Sequence, residues 1–246
     1  MPRRRVLRPA RLVDDTCTVF LGPDTRAAPI TRSKPRVAVA DTGSGNLRSV
    51  EKALARAGAD VVVTSDAAVI AAADKLVVPG QGQFGAVMRG LDREGGALRQ
   101  VVLESLRAGK PYLGLCLGLQ VLFESSEENP GCPGLGVLPG TVRRFAETPG
   151  LKVPHMGWNQ TSRPGVVGGD RARAAPALAS VPDGTYFYFV HSYYAVPARQ
   201  EDVALETEHG MTFCAAVARD NIFACQFHPE KSQDAGAALL AAFVAV

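Results

Sequence analysis

Residues 36–64 read RVAVADTGSGNLRSVEKALARAGADVVVT, and this stretch predicts the fold. Short apolar runs at Arg36–Ala40 and Asp60–Thr64 are typical of buried strands. Between them, residues 46–57 place an apolar side chain every three or four positions, which indicates an amphipathic helix, and Gly58 follows as a helix stop. A strand, a helix and a strand in this order predict a right-handed crossover between parallel strands.

The same rhythm extends over the rest of the chain. A further helix is predicted near Ala97–Ala108, a final helix begins at its capping residue Ser232, and residues 165–179 suggest a surface loop with a short helix. The other predicted strands are Lys75–Val78, Pro111–Leu115, Gly136–Phe145, Thr185–Val190, Val203–Glu208, Phe213–Ala218 and Ile222–Gln226. We therefore predict an α/β domain with a single open mixed sheet, parallel at its centre and flanked by helices.

The charge of the chain is concentrated at its start. Residues 1–35 contain eight Lys and Arg against three Asp, whereas the remaining residues contain 19 basic and 21 acidic side chains. A nearly neutral body gives no electrostatic reason to expect a nucleic-acid partner. Residues 1–35 also lack a periodic apolar pattern, so we predict a disordered extension followed by a domain at 36–246. The alternative is a basic docking arm.

The cysteine pattern argues against a disulfide framework. The five cysteines, at positions 17, 116, 132, 214 and 225, form an odd set without a C-x-x-C pair. This pattern favours a reducing, cytoplasmic compartment, and it gives no zinc motif and hence no predicted metal site. No apolar run reaches the roughly 18 residues that a membrane span requires.

One cysteine lies in a motif suited to nucleophilic chemistry. Gly114-Leu115-Cys116-Leu117-Gly118 stands where a buried strand meets a helix, which is the G-x-nucleophile-x-G elbow of many hydrolases. The two glycines remove side chains that would crowd the turn. The start of the following helix favours a thiolate, and the N–H of Leu117 can face a developing oxyanion. We predict that Cys116 is a nucleophile rather than a small core residue.

A base and an orienting carboxylate follow another predicted strand. Phe227-His228-Pro229-Glu230 comes directly after Ile222–Gln226. Glu230 is two residues after His228, so in extended backbone both side chains lie on one side and the carboxylate can fix the imidazole. With Cys116 these residues predict a Cys-His-Glu triad.

Several motifs together resemble a known family. GLCLGLQ at 114–120 and QFHPEKS at 226–232 are similar to the class I, triad-type glutamine amidotransferases. The segments DTGSGNLRS (41–49), PGQGQFG (79–85), PHMGWN (154–159) and FVHSYY (189–194) narrow the resemblance to the glutaminase subunits of imidazole glycerol phosphate synthases. The resemblance covers about residues 36–246 and implies a flavodoxin-like three-layer sandwich.

The resemblance also implies roles for individual residues. Cys116 would attack the side-chain amide of glutamine, with His228 as base and Glu230 as its orienting partner. No cofactor is implied; the implied partner is a (β/α)₈-barrel cyclase subunit, which receives the ammonia in a heterodimer. The residues implied by family position are Gly80, Gln81, Gly82 and Leu117 for the oxyanion hole, Gly82, Gln120, Glu128, Ser192 and Tyr193 for glutamine, and Asn46, Trp158 and Lys231 for the partner.

Three other hypotheses remain open at this stage. Gly80-Gln81-Gly82-Gln83-Phe84-Gly85 fits the dinucleotide fingerprint G-x-G-x-x-G, with Glu104 at about the distance of a ribose-binding acid. However, this motif follows the third predicted strand of the body, and Glu104 falls in the middle of a helix. The second alternative is an amidotransferase of anthranilate or guanylate synthesis, and the third is a non-catalytic binding module that retains the fold.

Overall fold

The computed structural model describes residues 34–147, 149–165, 176–179 and 181–246. The predicted extension lies outside the described residues up to position 33, as do most of the predicted surface loop at 165–179 and residues 148 and 180. The described strands are β1 (Arg36–Ala40), β2 (Asp60–Thr64), β3 (Lys75–Gly80), β4 (Tyr112–Cys116), β5 (Ser125–Ser126), β6 (Gly140–Arg144), β7 (His155–Thr161), β8 (Thr185–His191), β9 (Tyr193–Pro197), β10 (Val203–Glu208), β11 (Thr212–Arg219) and β12 (Ile222–Cys225).

Helices of very different length connect these strands. The described α-helices are α1 (Leu47–Arg56), α2 (Ala67–Ala72), α3 (Phe84–Leu91), α4 (Arg93–Arg107), α5 (Leu117–Gln120), α6 (Pro176–Ala179) and α7 (Gln233–Ala245), with 3₁₀ turns at Gln200–Asp202 and Pro229–Lys231. Near the start of α4, Glu94, Gly95 and Gly96 have φ values of 52°, 75° and 82°. Regular helix therefore begins at Ala97, where the sequence predicted it. Among the described helices, none is long and apolar enough to cross a membrane.

Ten strands form the central sheet, in the order β2-β1-β3-β4-β12-β11-β9-β6-β5, with β10 also paired to β11. The pairings among β2, β1, β3, β4 and β12 are parallel, and β11 is antiparallel to β12. The prediction of an open mixed sheet with a parallel centre is confirmed. In addition, β7 and β8 form a separate two-stranded antiparallel ribbon.

Helices cover both faces of the sheet because the side chains of its central strands alternate. Val37 and Val39 of β1 belong to one apolar cluster, together with Leu54 of α1 and residues of α7. Ala38 and Ala40 belong to the other cluster, which includes residues of α3 and α4. This alternation follows the two-residue period of a strand and produces three layers.

Three local predictions are wrong. Pro229–Lys231 form a 3₁₀ turn instead of the extended backbone predicted between His228 and Glu230, because the N–H of Lys231 donates to the carbonyl of His228. The strand predicted to begin at Gly136 begins at Gly140 instead, because the N–H groups of Val137 and Leu138 donate to the carbonyl of Leu122 rather than to a strand. Ser232 stands before α7 but does not cap it. Its hydroxyl donates to the carbonyl of His228 and accepts from the N–H of Tyr188.

Candidate active site

Three neighbouring strands end at the same edge of the sheet and bring together segments distant in sequence. In the parallel register, Gly80 of β3 pairs with Cys116 of β4, and Leu115 pairs with Cys225 of β12. His228 follows the end of β12 by three residues. Ligands bind at the carboxyl ends of strands in open α/β sheets, which is where these residues meet.

The elbow at Cys116 has the strained geometry that its sequence predicts. Cys116 has φ 53° and ψ −102°, which is unusual for a residue with a side chain. A Cβ at position 118 would lie 1.8 Å from the carbonyl oxygen of Val78, so only glycine fits there. The buried hydroxyl of Tyr112 donates to the Gly118 carbonyl at 2.8 Å and fixes the turn from below. The turn therefore holds the sulfur at the start of α5.

His228 and Glu230 form a buried pair beside the elbow. Nδ1 of His228 lies 2.8 Å from Oε1 of Glu230, and the two side chains are 3% and 2% exposed. Burial lowers the pKa of His228, but the Cys116 sulfur and the Glu230 carboxylate outweigh it and raise this pKa to about 9. Nε2 of His228 has no partner at ordinary hydrogen-bond geometry within the described residues, so its contact with the Cys116 sulfur is a loose one. Such loose contacts are usual without substrate.

The predicted oxyanion loop lies against the elbow. A Cβ added at Gly80 would lie only 2.6 Å from Cβ of Leu117, which is too close for any residue but glycine. Gly82 has a φ of 101°, a backbone conformation that favours glycine. Helix α5 contains only the four residues Leu117–Gln120, so its dipole is smaller than that of a long helix. The N–H groups of its first turn, which have no partner within the helix, still follow Cys116 directly.

A cavity of about 420 Å³ opens above these elements. Most of the predicted site residues contribute to its wall: Gln81, Gly82, Cys116, Leu117, Gln120, Glu128, Ser192, Tyr193, His228 and Lys231. The remaining predicted residues Gly80, Asn46 and Glu230 line a neighbouring cavity of about 10 Å³ together with His228. Trp158 lines neither of these two cavities. The structure thus brings together the residues predicted for the catalytic and substrate-binding roles.

Glu128 has a structural contact as well as a place in the cavity wall. Its Oε2 accepts the N–H of Phe84 at 2.7 Å, and Oδ1 of Asn129 accepts the N–H of Gly85 at 2.8 Å. These two side chains satisfy N–H groups at the start of α3, which would otherwise lack partners. Glu128 is consequently held in a fixed position at the cavity.

The ribbon β7–β8 turns an aromatic face outward. Met156, Trp158 and Tyr186 are 67%, 46% and 52% exposed. The ring centroid of Tyr188 lies 6.3 Å from that of Trp158 and 6.0 Å from Nζ of Lys231. Trp158 is therefore a surface residue, and Lys231 connects this face to the cavity.

Two buried histidines have no role predicted from the sequence: His191 contributes to the cavity wall, and His155 lies against it outside the wall. Nδ1 of His191 is 2.8 Å from the Tyr193 carbonyl, and its Nε2 is 3.0 Å from Nδ1 of His155. Burial lowers the pKa of His155 to about 4 and that of His191 to about 3. Both rings are therefore neutral at pH 7. They occur in PHMGWN and FVHSYY, but two histidines 36 positions apart in sequence do not by themselves reveal a hydrogen-bonded pair.

These lowered pKa values predict that stability falls in acid. An unfolded chain binds protons on His155 and His191 below about pH 6.5, whereas the folded chain does so only near pH 4 and pH 3. The contribution of the two histidines to the free energy of unfolding is therefore complete above pH 6.5. It is lost as the pH falls below 6.5, by at most about 1.4 kcal/mol per pH unit for each histidine. Denaturant unfolding at several pH values should show a shallower acid slope for His191→Asn. Parallel slopes for the variant and the unsubstituted chain would contradict this prediction.

The other described cysteines lie outside the cavity. Cys214 and Cys225 are buried, and this burial raises the pKa of both thiols. Cys132 is partly exposed but lies outside the cavity. Within the described residues, no three His, Cys, Asp or Glu side chains form a group that could hold a metal ion.

The fold and this site define a class of protein, and comparisons with known proteins agree with it. The family model described as "Glutamine amidotransferase class-I" matches residues 38–246. A protein named "Imidazole glycerol phosphate synthase subunit HisH" from Aromatoleum aromaticum is 50% identical over 217 residues, covering 85% of this chain and 97% of that relative. A relative of the same name from Methanothermobacter thermautotrophicus is 48% identical over 210 residues, with coverages of 85% and 98%. The chain belongs to the class I glutamine amidotransferases and, within them, to the family of imidazole glycerol phosphate synthase subunit HisH. The family membership predicted from the motifs is confirmed.

Solved structures support the fold independently. One described as a glutamine amidotransferase superposes with a TM-score of 0.61 at 20% identity, covering 81% of this chain and 93% of the other. PurLQS from Thermotoga maritima gives a TM-score of 0.57 at 20% identity, with coverages of 86% and 98%. At this level of identity the likeness concerns the fold alone.

Proposed function

We propose that this chain is the glutaminase subunit of an imidazole glycerol phosphate synthase. It hydrolyses glutamine and passes the ammonia to a cyclase subunit, which forms imidazole glycerol phosphate and aminoimidazole carboxamide ribonucleotide in histidine biosynthesis. The observation that carries the proposal is the joint presence of Cys116 and the His228–Glu230 pair at the edge of one cavity, in a chain of this family. We assign the activity to residues 36–246, because the family match begins at residue 38.

The proposed reaction has two chemical steps. The Cys116 sulfur attacks the side-chain carbonyl carbon of glutamine, and the bond to nitrogen breaks as His228 donates a proton to the leaving ammonia. Water then attacks the thioester carbon with His228 as the base, which releases glutamate and regenerates the thiol. Backbone N–H groups of the Gly80–Gly82 segment and of Leu117 stabilise the oxyanion in both steps.

The cavity wall supplies groups that suit an amino acid substrate. Among the described residues that line the cavity, Glu128 is the one with a carboxylate. This carboxylate is held in place and can pair with the α-ammonium group of glutamine. Gln120, Ser192 and Tyr193 add polar groups around the same space. We propose that these residues, with Gly82, bind glutamine beside Cys116.

The aromatic face of β7–β8 is the proposed docking surface for the cyclase subunit. Exposed aromatic and methionine side chains are enriched at protein interfaces, and Trp158 and Met156 are largely exposed on this face. Lys231 packs against the ring of Tyr188 at the edge of this face, and it also lines the cavity. A docked partner would therefore contact the glutamine site. Asn46, which is exposed and lines the small cavity together with Gln81, is a further proposed contact. The reducing cytoplasm is the proposed location.

We expect this chain alone to be a poor glutaminase that its partner activates. The test measures glutamine hydrolysis by the chain alone, with the cyclase subunit, and with cyclase plus an acceptor analogue. The rate should rise at each step, because docking and acceptor binding favour a complete oxyanion hole. In Trp158→Ala the activation should fall at least about tenfold, as expected for an aromatic side chain that becomes buried when the partner docks.

Met211→Ala is the matched control, because Met211 is 41% exposed outside the ribbon and should not affect activation. Equal rates in all three states would contradict the need for a partner. Activation by an anthranilate synthase subunit in place of the cyclase would assign the chain to a sister amidotransferase.

A further inference from the structure

The sulfur of Cys116 has a polar neighbour besides His228. Nε2 of Gln226 lies 3.4 Å from Sγ of Cys116, within hydrogen-bond range for a sulfur acceptor. Gln226 is fully buried, and it is the first residue after β12, where its N–H continues the pairing with β11 by donating to the Ala215 carbonyl. A buried amide at this position needs hydrogen-bond partners, which limits its orientation.

Gln120 fixes which end of the Gln226 amide faces the sulfur. Nε2 of Gln120 donates to the main-chain carbonyl of Tyr193 at 3.1 Å and to Oε1 of Gln226 at 2.9 Å. A carbonyl oxygen only accepts, so Gln120 must present its amino group. A reversed Gln226 would place two amino groups against each other. The amino group of Gln226 therefore faces Cys116.

The Tyr193 carbonyl also accepts a hydrogen bond from His191, at 2.8 Å. Because this oxygen only accepts, Nδ1 of His191 must carry the proton that it shares with Tyr193. Nε2 of His191 then accepts from Nδ1 of His155, and Nε2 of His155 accepts from the side-chain amide of Asn159 at 3.1 Å. This series of hydrogen bonds requires both imidazole rings to be neutral. It gives Tyr193, and thus Gln120, one defined position.

We propose that Gln226 is a hydrogen-bond donor that stabilises the Cys116 thiolate, held in the required orientation by Gln120. This inference rests on the proposed function, in which Cys116 is the nucleophile. An N–H donor favours a thiolate over a thiol, since the charged acceptor makes the stronger hydrogen bond. The other titratable groups that face this sulfur are His228 and Cys225, with Glu230 acting through His228.

The test measures the pH dependence of Cys116 alkylation by iodoacetamide, with each cysteine followed by peptide mass mapping in the full-length chain. In Gln226→Met, which keeps the size of the side chain but removes the donor, the pH midpoint for Cys116 should rise by about one to two units. Gln226→Glu should give at least the same rise, because an acceptor would replace the donor. In the complex with cyclase, kcat/KM should fall about tenfold near pH 7 and recover at higher pH.

Cys132 serves as the internal control, because it reacts in the same sample and its midpoint should not move. Lower activity with an unchanged Cys116 midpoint would give Gln226 a purely structural role and overturn the proposal. In the unsubstituted chain, the NMR resonances of the Gln226 side-chain amide should change with pH, and the midpoint of this change should equal the pH midpoint of Cys116 alkylation. Resonances that do not respond would also overturn it, independently of how the variants fold. If Cys116 of the unsubstituted chain supported no glutamine hydrolysis, the proposed function itself would fail.

Discussion

Replacing Cys116 with alanine should abolish glutamine hydrolysis in the complex with cyclase, with a loss of at least about 10⁴-fold in kcat. The variant lacks the sulfur that forms the thioester, and no other described cysteine lines the cavity. The fold should persist, because alanine fits the space of the cysteine side chain. The measurement is glutamate release from glutamine, together with the thermal unfolding of the variant.

Two controls separate chemistry from assembly. Cys132→Ala removes a partly exposed thiol outside the cavity and should keep full activity. Free ammonia supplied to the complex should restore product formation by Cys116→Ala, because the cyclase reaction needs only the nitrogen. Continued glutamate release by Cys116→Ala would exclude Cys116 as the nucleophile. Failure of ammonia to restore the product would place the damage in assembly.

Loss of the base should be nearly as severe as loss of the nucleophile. His228→Ala is expected to lower kcat about 10⁴-fold, and Glu230→Gln less, by about 10²- to 10³-fold, since an amide can still orient the ring. Glu230 also raises the pKa of His228, so its removal should lower that pKa. The alkaline limb of kcat/KM in Glu230→Gln should therefore move to lower pH.

Asp234→Asn is the matched control for this series, because Asp234 is an exposed carboxylate at the start of α7. It should leave both the rate and the pH profile unchanged. A Glu230→Gln rate as low as that of His228→Ala would mean that Glu230 does more than orient the imidazole. An unmoved alkaline limb would contradict the electrostatic role of the carboxylate.

The centre of the fold was predictable because its strands are continuously apolar. β1, β2 and β4 occur within a residue or two of their predicted positions, and the elbow follows from glycines that the packing requires at 114 and 118. Glu104 lies within α4, which agrees with the argument against a dinucleotide site. These features depend on local sequence, so local reasoning is sufficient for them.

The ribbon β7–β8 was only half predictable, because contacts distant in sequence define it. β7 reads HMGWNQT, without the apolar alternation of a strand that packs on one face. β7 pairs with β8 along its whole length, and β8 in turn contacts the segment after β12. The Tyr188 carbonyl of β8 accepts the N–H of His228, and the Tyr188 N–H donates to the hydroxyl of Ser232. The same contacts explain why Ser232 does not cap α7.

The contact of Gln226 with Cys116 could not be predicted from spacing either. The two residues are 110 positions apart, and only the pairing of β4 with β12 brings their strand ends together. A polar residue at the end of an apolar strand was the available signal. It indicated a position near the site but did not identify the acceptor.

Cys116 is proposed as the nucleophile that attacks glutamine in this cavity. Labelling of the complex with a diazo ketone analogue of glutamine, followed by peptide mass mapping, tests this assignment. We expect one label, on the peptide that contains Cys116, with activity lost in proportion and with protection by glutamine. A label on Cys132, Cys214 or Cys225, or inactivation that leaves Cys116 unmodified, would contradict it.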